Sequence, residues 1–92
     1  MNLEVKIDKD KNKFFTFVEG HEVYLDFSIE GNVIDFLHTY TPRELRGKGL
    51  AAIVVRFAFE YAKENNLKVI PTCPYINTFL RKNEQYKQLL VE

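Results

Sequence analysis

Arg46-Gly47-Lys48-Gly49-Leu50-Ala51 is the stretch on which the reading of this chain turns. Before it, Val33 to Thr41 is apolar and strand-like; after it, Leu50 to Asn65 has the spacing of an amphipathic helix. A glycine turn feeding a helix N-terminus leaves several backbone N–H groups unpaired and pointing one way, where the helix dipole also favours negative charge. Glycine at 47 and 49 lets the backbone approach a ligand with no Cβ in the way. Arg46 and Lys48 add positive charge. The chemistry that fits is a phosphate or pyrophosphate. The competing reading is a loop that needs glycine for its backbone angles and merely solvates two basic side chains. The flanking strand and helix favour the first.

Working outward, 92 residues make one small domain with a single core, taken as residues 1–92. An apolar fraction of 46% with 14% aromatics excludes a disordered chain. Thirteen Lys and Arg balance thirteen Asp and Glu, which argues against a nucleic-acid partner and makes the basic turn a local feature. Cys73 is the sole cysteine, so no intrachain disulfide forms and a reducing, cytoplasmic location is expected. Met1 to Lys6 lacks the form of a signal peptide, and no window approaches the roughly 20 apolar residues of a membrane span. No membrane partner is expected. Cys73, His21 and His38 have no metal-ligand spacing, so no metal is expected either.

Upstream of the turn, apolar residues alternate with polar ones in the period of half-buried strands. Leu3, Val5 and Ile7 mark the first strand, Lys13 to Glu19 the second, Val23 to Glu30 the third and Val33 to Thr41 the fourth. Glu19-Gly20-His21-Glu22 and Glu30-Gly31-Asn32 are tight turns, so these four strands form an antiparallel meander. Downstream, Leu50, Ile53, Val54, Phe57, Ala58 and Tyr61 form the apolar stripe of the helix. Val55, Phe59 and Ala62 widen it, which fits either a helix clamped under the C-terminal segment or a homodimer contact. Asn65-Asn66 caps the helix end. Leu67 to Thr72 is a fifth strand, parallel to the fourth through the helical crossover. Pro74 opens a short helix that ends at Asn83, with Ile76, Phe79 and Leu80 inward and Tyr86, Leu89 and Leu90 docking the tail. The fold class is α/β (α+β).

This order of elements, with a turn matching Arg/Gln-x-x-Gly-x-Gly/Ala at residues 46–51, resembles the core of the GNAT acyl-CoA N-acetyltransferases. Ile34 to Pro42 with its His38-Thr39 pair, the turn, and Thr72-Cys73-Pro74-Tyr75-Ile76 together resemble the small single-domain NATD1-type group, over nearly the whole chain. The resemblance implies an acetyl-CoA-dependent transfer of an acetyl group to an amine acceptor. It implies a pyrophosphate on the backbone of Arg46, Gly47, Lys48, Gly49, Leu50 and Ala51. The pantetheine arm would then lie along Thr39, Tyr40 and Thr41, with Tyr75 nearby and Lys48, Arg43 and Lys82 as candidates for the outer phosphates. The chain departs from larger members of the family. It lacks the helices that follow the first strand and cover the acceptor, and an Asn-x-x-Ala-x-x-x-Tyr pattern started at Asn77 would end on Glu84. Tyr75 is the substitute for that tyrosine, with a core or rim role as the alternative.

For the chemistry, the expected catalytic pair is Cys73 with His38, a thiol at the end of the fifth strand and a base on the adjacent strand. The plainer reading makes Cys73 a buried filler and His38 a core histidine. Asp35 is the alternative base, expected on the face opposite His38 by strand alternation; His21 is expected on the surface. Against the transferase stands a CoA-binding module without catalysis, suggested by the missing acceptor cover. A small nucleotide-binding domain is a third reading, weakened by the absence of Gly-x-x-x-x-Gly-Lys-Ser/Thr.

Overall fold

A computed structural model describes residues 3–92 and consists of one five-stranded sheet with helices on one side of it. The strands are β1 (Lys6–Asp8), β2 (Lys13–Val18), β3 (His21–Glu30), β4 (Val33–Tyr40) and β5 (Lys68–Ile70), in sheet order β1-β2-β3-β4-β5. The first four pair antiparallel and β5 joins β4 in parallel, as the alternation and the helical crossover require. Val18 pairs with His21, and the two residues between them both have positive φ, 52° at Glu19 and 79° at Gly20. That is the signature of a two-residue primed turn, whose twist matches the strands it joins. His21 and Glu22 are therefore the first residues of β3 rather than part of the turn.

Helix α1 (Leu50–Glu64) crosses the sheet and ends in a Schellman motif. The Asn66 N–H donates to Lys63 O, the Leu67 N–H donates to Ala62 O, and Asn66 takes the left-handed conformation. The buried face of α1 is Leu50, Val54, Val55, Ala58, Phe59 and Ala62, while Ile53 and Phe57 lie at its exposed margin. The stripe is thus rotated from the expected one. Its cause is the C-terminal segment: Phe59 stacks 5.8 Å from Phe79 and 5.1 Å from Tyr86, so both sides of α1 are covered within the chain. Phe79 belongs to α2 (Pro74–Lys82), and Tyr86 to the 3-10 helix Glu84–Leu89 that follows it. Beyond that, the Val91 N–H donates to Val69 O and closes the outer edge of β5.

β5 is shorter than the apolar run Leu67 to Thr72. Pro71 has no N–H to continue the ladder, and parallel pairing to β4 stops at Asp35↔Ile70. Val23, Leu25, Phe27, Ile34 and Phe36 face α1 and join the core. The opposite face of the sheet carries Lys13, Phe15, Phe17, Tyr24, Asp26 and Tyr40, and no helix among the described residues covers it.

Candidate active site

Two breaks in regularity create the site. The first is in β4. Phe27 pairs with Phe36 but Asp26 pairs with His38, so Leu37 is an extra residue bulged out of the ladder. The second is the loss of β5 at the same level. The Cys73 N–H makes a last bond to Phe36 O, and β4 runs on alone to Tyr40. A parallel pair that separates in this way leaves one strand edge free beside the helix that follows.

That gap is a cavity of about 490 Å³. One wall is the end of β4 and the residue after it, His38, Thr39, Tyr40 and Thr41. The other is the turn and the start of α1, from Arg46, Gly47 and Gly49 to Leu50 and Ala51, with Tyr75 of α2 and Leu45 completing the lining. All of the residues expected from the sequence to hold the cofactor line it except Lys48, which is exposed. Arg43 and Lys82 are exposed and outside the lining as well.

The turn has the backbone geometry that an anion site uses. Gly47 has φ 82° and Gly49, the N-cap of α1, has φ 75°. Both are left-handed, which favours glycine. The N-cap has no side chain to satisfy the first N–H groups of the helix, so these donors face the cavity mouth with the positive end of the dipole. The Arg46 Nε–H donates to Thr41 O at 2.9 Å, tying the turn to the end of β4 and fixing the width of the gap. Its remaining guanidinium N–H groups stay available to a phosphate.

Cys73 and His38 are not brought together as a pair. The bulge at Leu37 reverses the alternation, so His38 stands opposite Asp26 on the outer face of the sheet. Thr39 instead turns inward and takes the thiol, with Oγ1 3.6 Å from Cys73 Sγ. Cys73 is only 5% exposed and does not line the cavity. The same bulge places Asp35, opposite Ser28, on one face with His38, correcting the expectation that the two point apart. Asp35 accepts a hydrogen bond from Thr72 Oγ1 at 2.5 Å, which pins the point where β4 and β5 separate. Tyr75 is half-buried, and loss of water raises its phenol above the ordinary tyrosine range. Tyr24 and Asp26 adjoin the site across the strands and have no motif to announce them. Their only sequence signal was outward alternation on β3.

Comparison with known proteins agrees with this geometry. A family model described as GCN5-related N-acetyl-transferase matches residues 13–89. Protein NATD1 of Danio rerio is 31% identical over 84 residues, covering 88% of this chain and 76% of that protein. Protein NATD1 of Homo sapiens is 29% identical over 84 residues, covering 88% and 74%. The NMR structure of a GCN5-like protein from Staphylococcus aureus superimposes with a TM-score of 0.75 at 30% identity, covering 98% of this chain and 89% of that one. With a splayed parallel pair, a glycine-capped helix and these relatives, the chain belongs to the GCN5-related N-acetyltransferase family.

Proposed function

We propose that the protein is an acetyl-CoA-dependent N-acetyltransferase acting on an amine. The observation that carries this is the cavity itself. It joins the free edge of β4 to the glycine-capped start of α1, so one extended ligand with a pyrophosphate at one end fits both walls. In this reading the N–H groups at Gly47 to Ala51 and the guanidinium of Arg46 hold the phosphates, while the amide groups of the pantetheine arm bond to β4 near Thr39 to Thr41.

Bound acetyl-CoA supplies an activated acetyl thioester: the amine nitrogen bonds to the acetyl carbon, the C–S bond breaks, the nitrogen gives up a proton and the departing sulfur takes one. Tyr75 is the donor for the sulfur, since it lines the cavity and its phenol carries a proton at neutral pH. His38, also in the lining, accepts the proton from the amine. Direct attack by the amine is favoured over a thiol relay by the burial of Cys73 and its contact with Thr39. The uncovered sheet face favours a second reading, a CoA-binding module without turnover. Release of CoA thiol, measured against a panel of amines with mass detection of the acetylated product, separates the two. Acetylated product supports the transferase, and saturable CoA binding with no product from any amine supports the module.

A further inference from the structure

Between the last rung of the β4–β5 ladder and the start of α2, the chain crosses from the sheet to the helix that carries Tyr75. The ladder ends at Asp35↔Ile70. Pro71 follows with no N–H to give, and the next backbone bond to β4 runs from the Cys73 N–H to Phe36 O at 2.9 Å. Side chains close the interval. Thr72 Oγ1 donates to Asp35 Oδ1 at 2.5 Å, Thr39 Oγ1 lies 3.6 Å from Cys73 Sγ, and Asn77 Nδ2 donates to Pro71 O at 3.4 Å. Of these three contacts only the first is made to a carboxylate, which is the stronger kind of acceptor.

Asp35 is half-buried but does not line the cleft. It lines a separate hollow of about 340 Å³ with Ser28, Glu30, Val33 and Ile70. A carboxylate outside the cleft is poorly placed to take a proton from a bound substrate, whereas one that grips Thr72 acts on whatever follows in the chain. Three residues on is Tyr75, in the first turn of α2 and in the cleft lining. The far end of α2 is fixed by packing: Phe79 stacks on Phe59, and Asn83 accepts a bond from Arg56. Its near end has the short interval from Pro71 to Cys73, with Thr72 held to β4 by its hydroxyl.

Resting on the acetyl-transfer reading, we propose that Asp35 and Thr72 are a positioning pair, which anchors the entry of α2 to β4 and so aims the Tyr75 phenol at the departing sulfur. Asp35 then acts through Thr72 as a hydrogen-bond acceptor and takes no part in proton transfer. The threonine hydroxyl does for this crossing what the missing Pro71 N–H cannot. Burial raises the Tyr75 phenol above the ordinary tyrosine range, so its titration reports whether the ring stays in place. His38, Tyr40 and Arg46 are the other titratable groups of the same lining.

The test titrates Tyr75 by carbon NMR in protein labelled at tyrosine Cζ, with the resonance assigned by Tyr75→Phe. CoA-thiol release with the amine panel and CoA binding by calorimetry accompany it. Asp35→Ala and Thr72→Val are each expected to bring the Tyr75 midpoint down towards the ordinary tyrosine value. Each also cuts kcat about 10- to 100-fold, with CoA affinity within about twofold of wild type. The double variant loses no more than either single one, because both remove the same bond. Asp35→Asn and Thr72→Ser, which keep acceptor and donor, retain the wild-type midpoint and a kcat within about threefold. Thr78→Val, at an exposed position on the same helix, changes neither. An unchanged Tyr75 midpoint in both Asp35→Ala and Thr72→Val overturns the proposal, even where both variants unfold at lower urea. So does a loss of kcat in Asp35→Asn equal to that in Asp35→Ala, which would make Asp35 the base. Failure of the underlying reading looks different: wild type would acetylate no amine, and the Tyr75 midpoints would still decide the role of the pair.

Discussion

Gly49 combines two features in one residue: its φ of 75° starts α1, and it lines the cavity. An alanine there meets no atom within 4 Å, so the cost is conformational, about 1–2 kcal/mol for a left-handed L-residue. Gly20, with φ 79° and equally open space in the β2–β3 hairpin, is the matched control. Both Gly49→Ala and Gly20→Ala are expected to lose that stability in urea denaturation, while only Gly49→Ala also weakens CoA binding by calorimetry. Tyr75→Phe removes the donor to the departing sulfur and should lower kcat by about 10²–10⁴-fold with CoA affinity retained. Cys73→Ala should keep acetyl transfer within a few-fold, with no acetyl adduct on the wild-type thiol by intact mass; an adduct would make the thiol the nucleophile. The glycine turn at the start of α1 was legible in the sequence because glycine, a basic residue and a helix start have a local spacing. The partner of Cys73 was not, because one bulged residue at Leu37 exchanges the faces of His38 and Thr39.

At the scale of elements, local patterning carried the strands and their order, and tertiary contacts set the ends. The alternation of Val23, Leu25 and Phe27 with Tyr24, Asp26 and Ser28 fixed which side of β3 meets α1. Pro71 shortened β5, an effect visible in the sequence as a missing donor but hidden inside an apolar run. The buried stripe of α1 was the harder case. Periodicity gives a wide apolar arc, and only the docking of Phe79 and Tyr86 decides that Phe59 is central and Phe57 marginal. Phe59→Ala is therefore expected to cost about 3–5 kcal/mol, whereas Phe57→Ala, at 37% exposure, costs well under half of that. Chemical denaturation of the two variants checks the order, and equal losses would contradict the packing described.

For the whole molecule, a single sheet covered on one side leaves the other side free, and the splay of β4 from β5 lies where both sides are within reach. The cleft faces the capped helix, and the aromatic outer face with Tyr24 lies across the strands from it. The meander, crossover and closing helix were readable from the order of elements. The aromatic outer face beside the cleft was not, since it is assembled from outward residues of two strands that no motif links. Thermal unfolding with acetyl-CoA against acetyl-pantetheine, which lacks the pyrophosphate, tests the glycine turn as a phosphate site most directly. A ligand at 100 times its Kd adds about 2.7 kcal/mol, or roughly 10–20 °C in Tm for a domain of this size. Acetyl-CoA is expected to produce a shift of that order and acetyl-pantetheine a small one at the same concentration, with the difference lost in Gly49→Ala. Equal shifts from the two ligands, or a full acetyl-CoA shift in Gly49→Ala, would contradict the assignment of the glycine turn as the phosphate site.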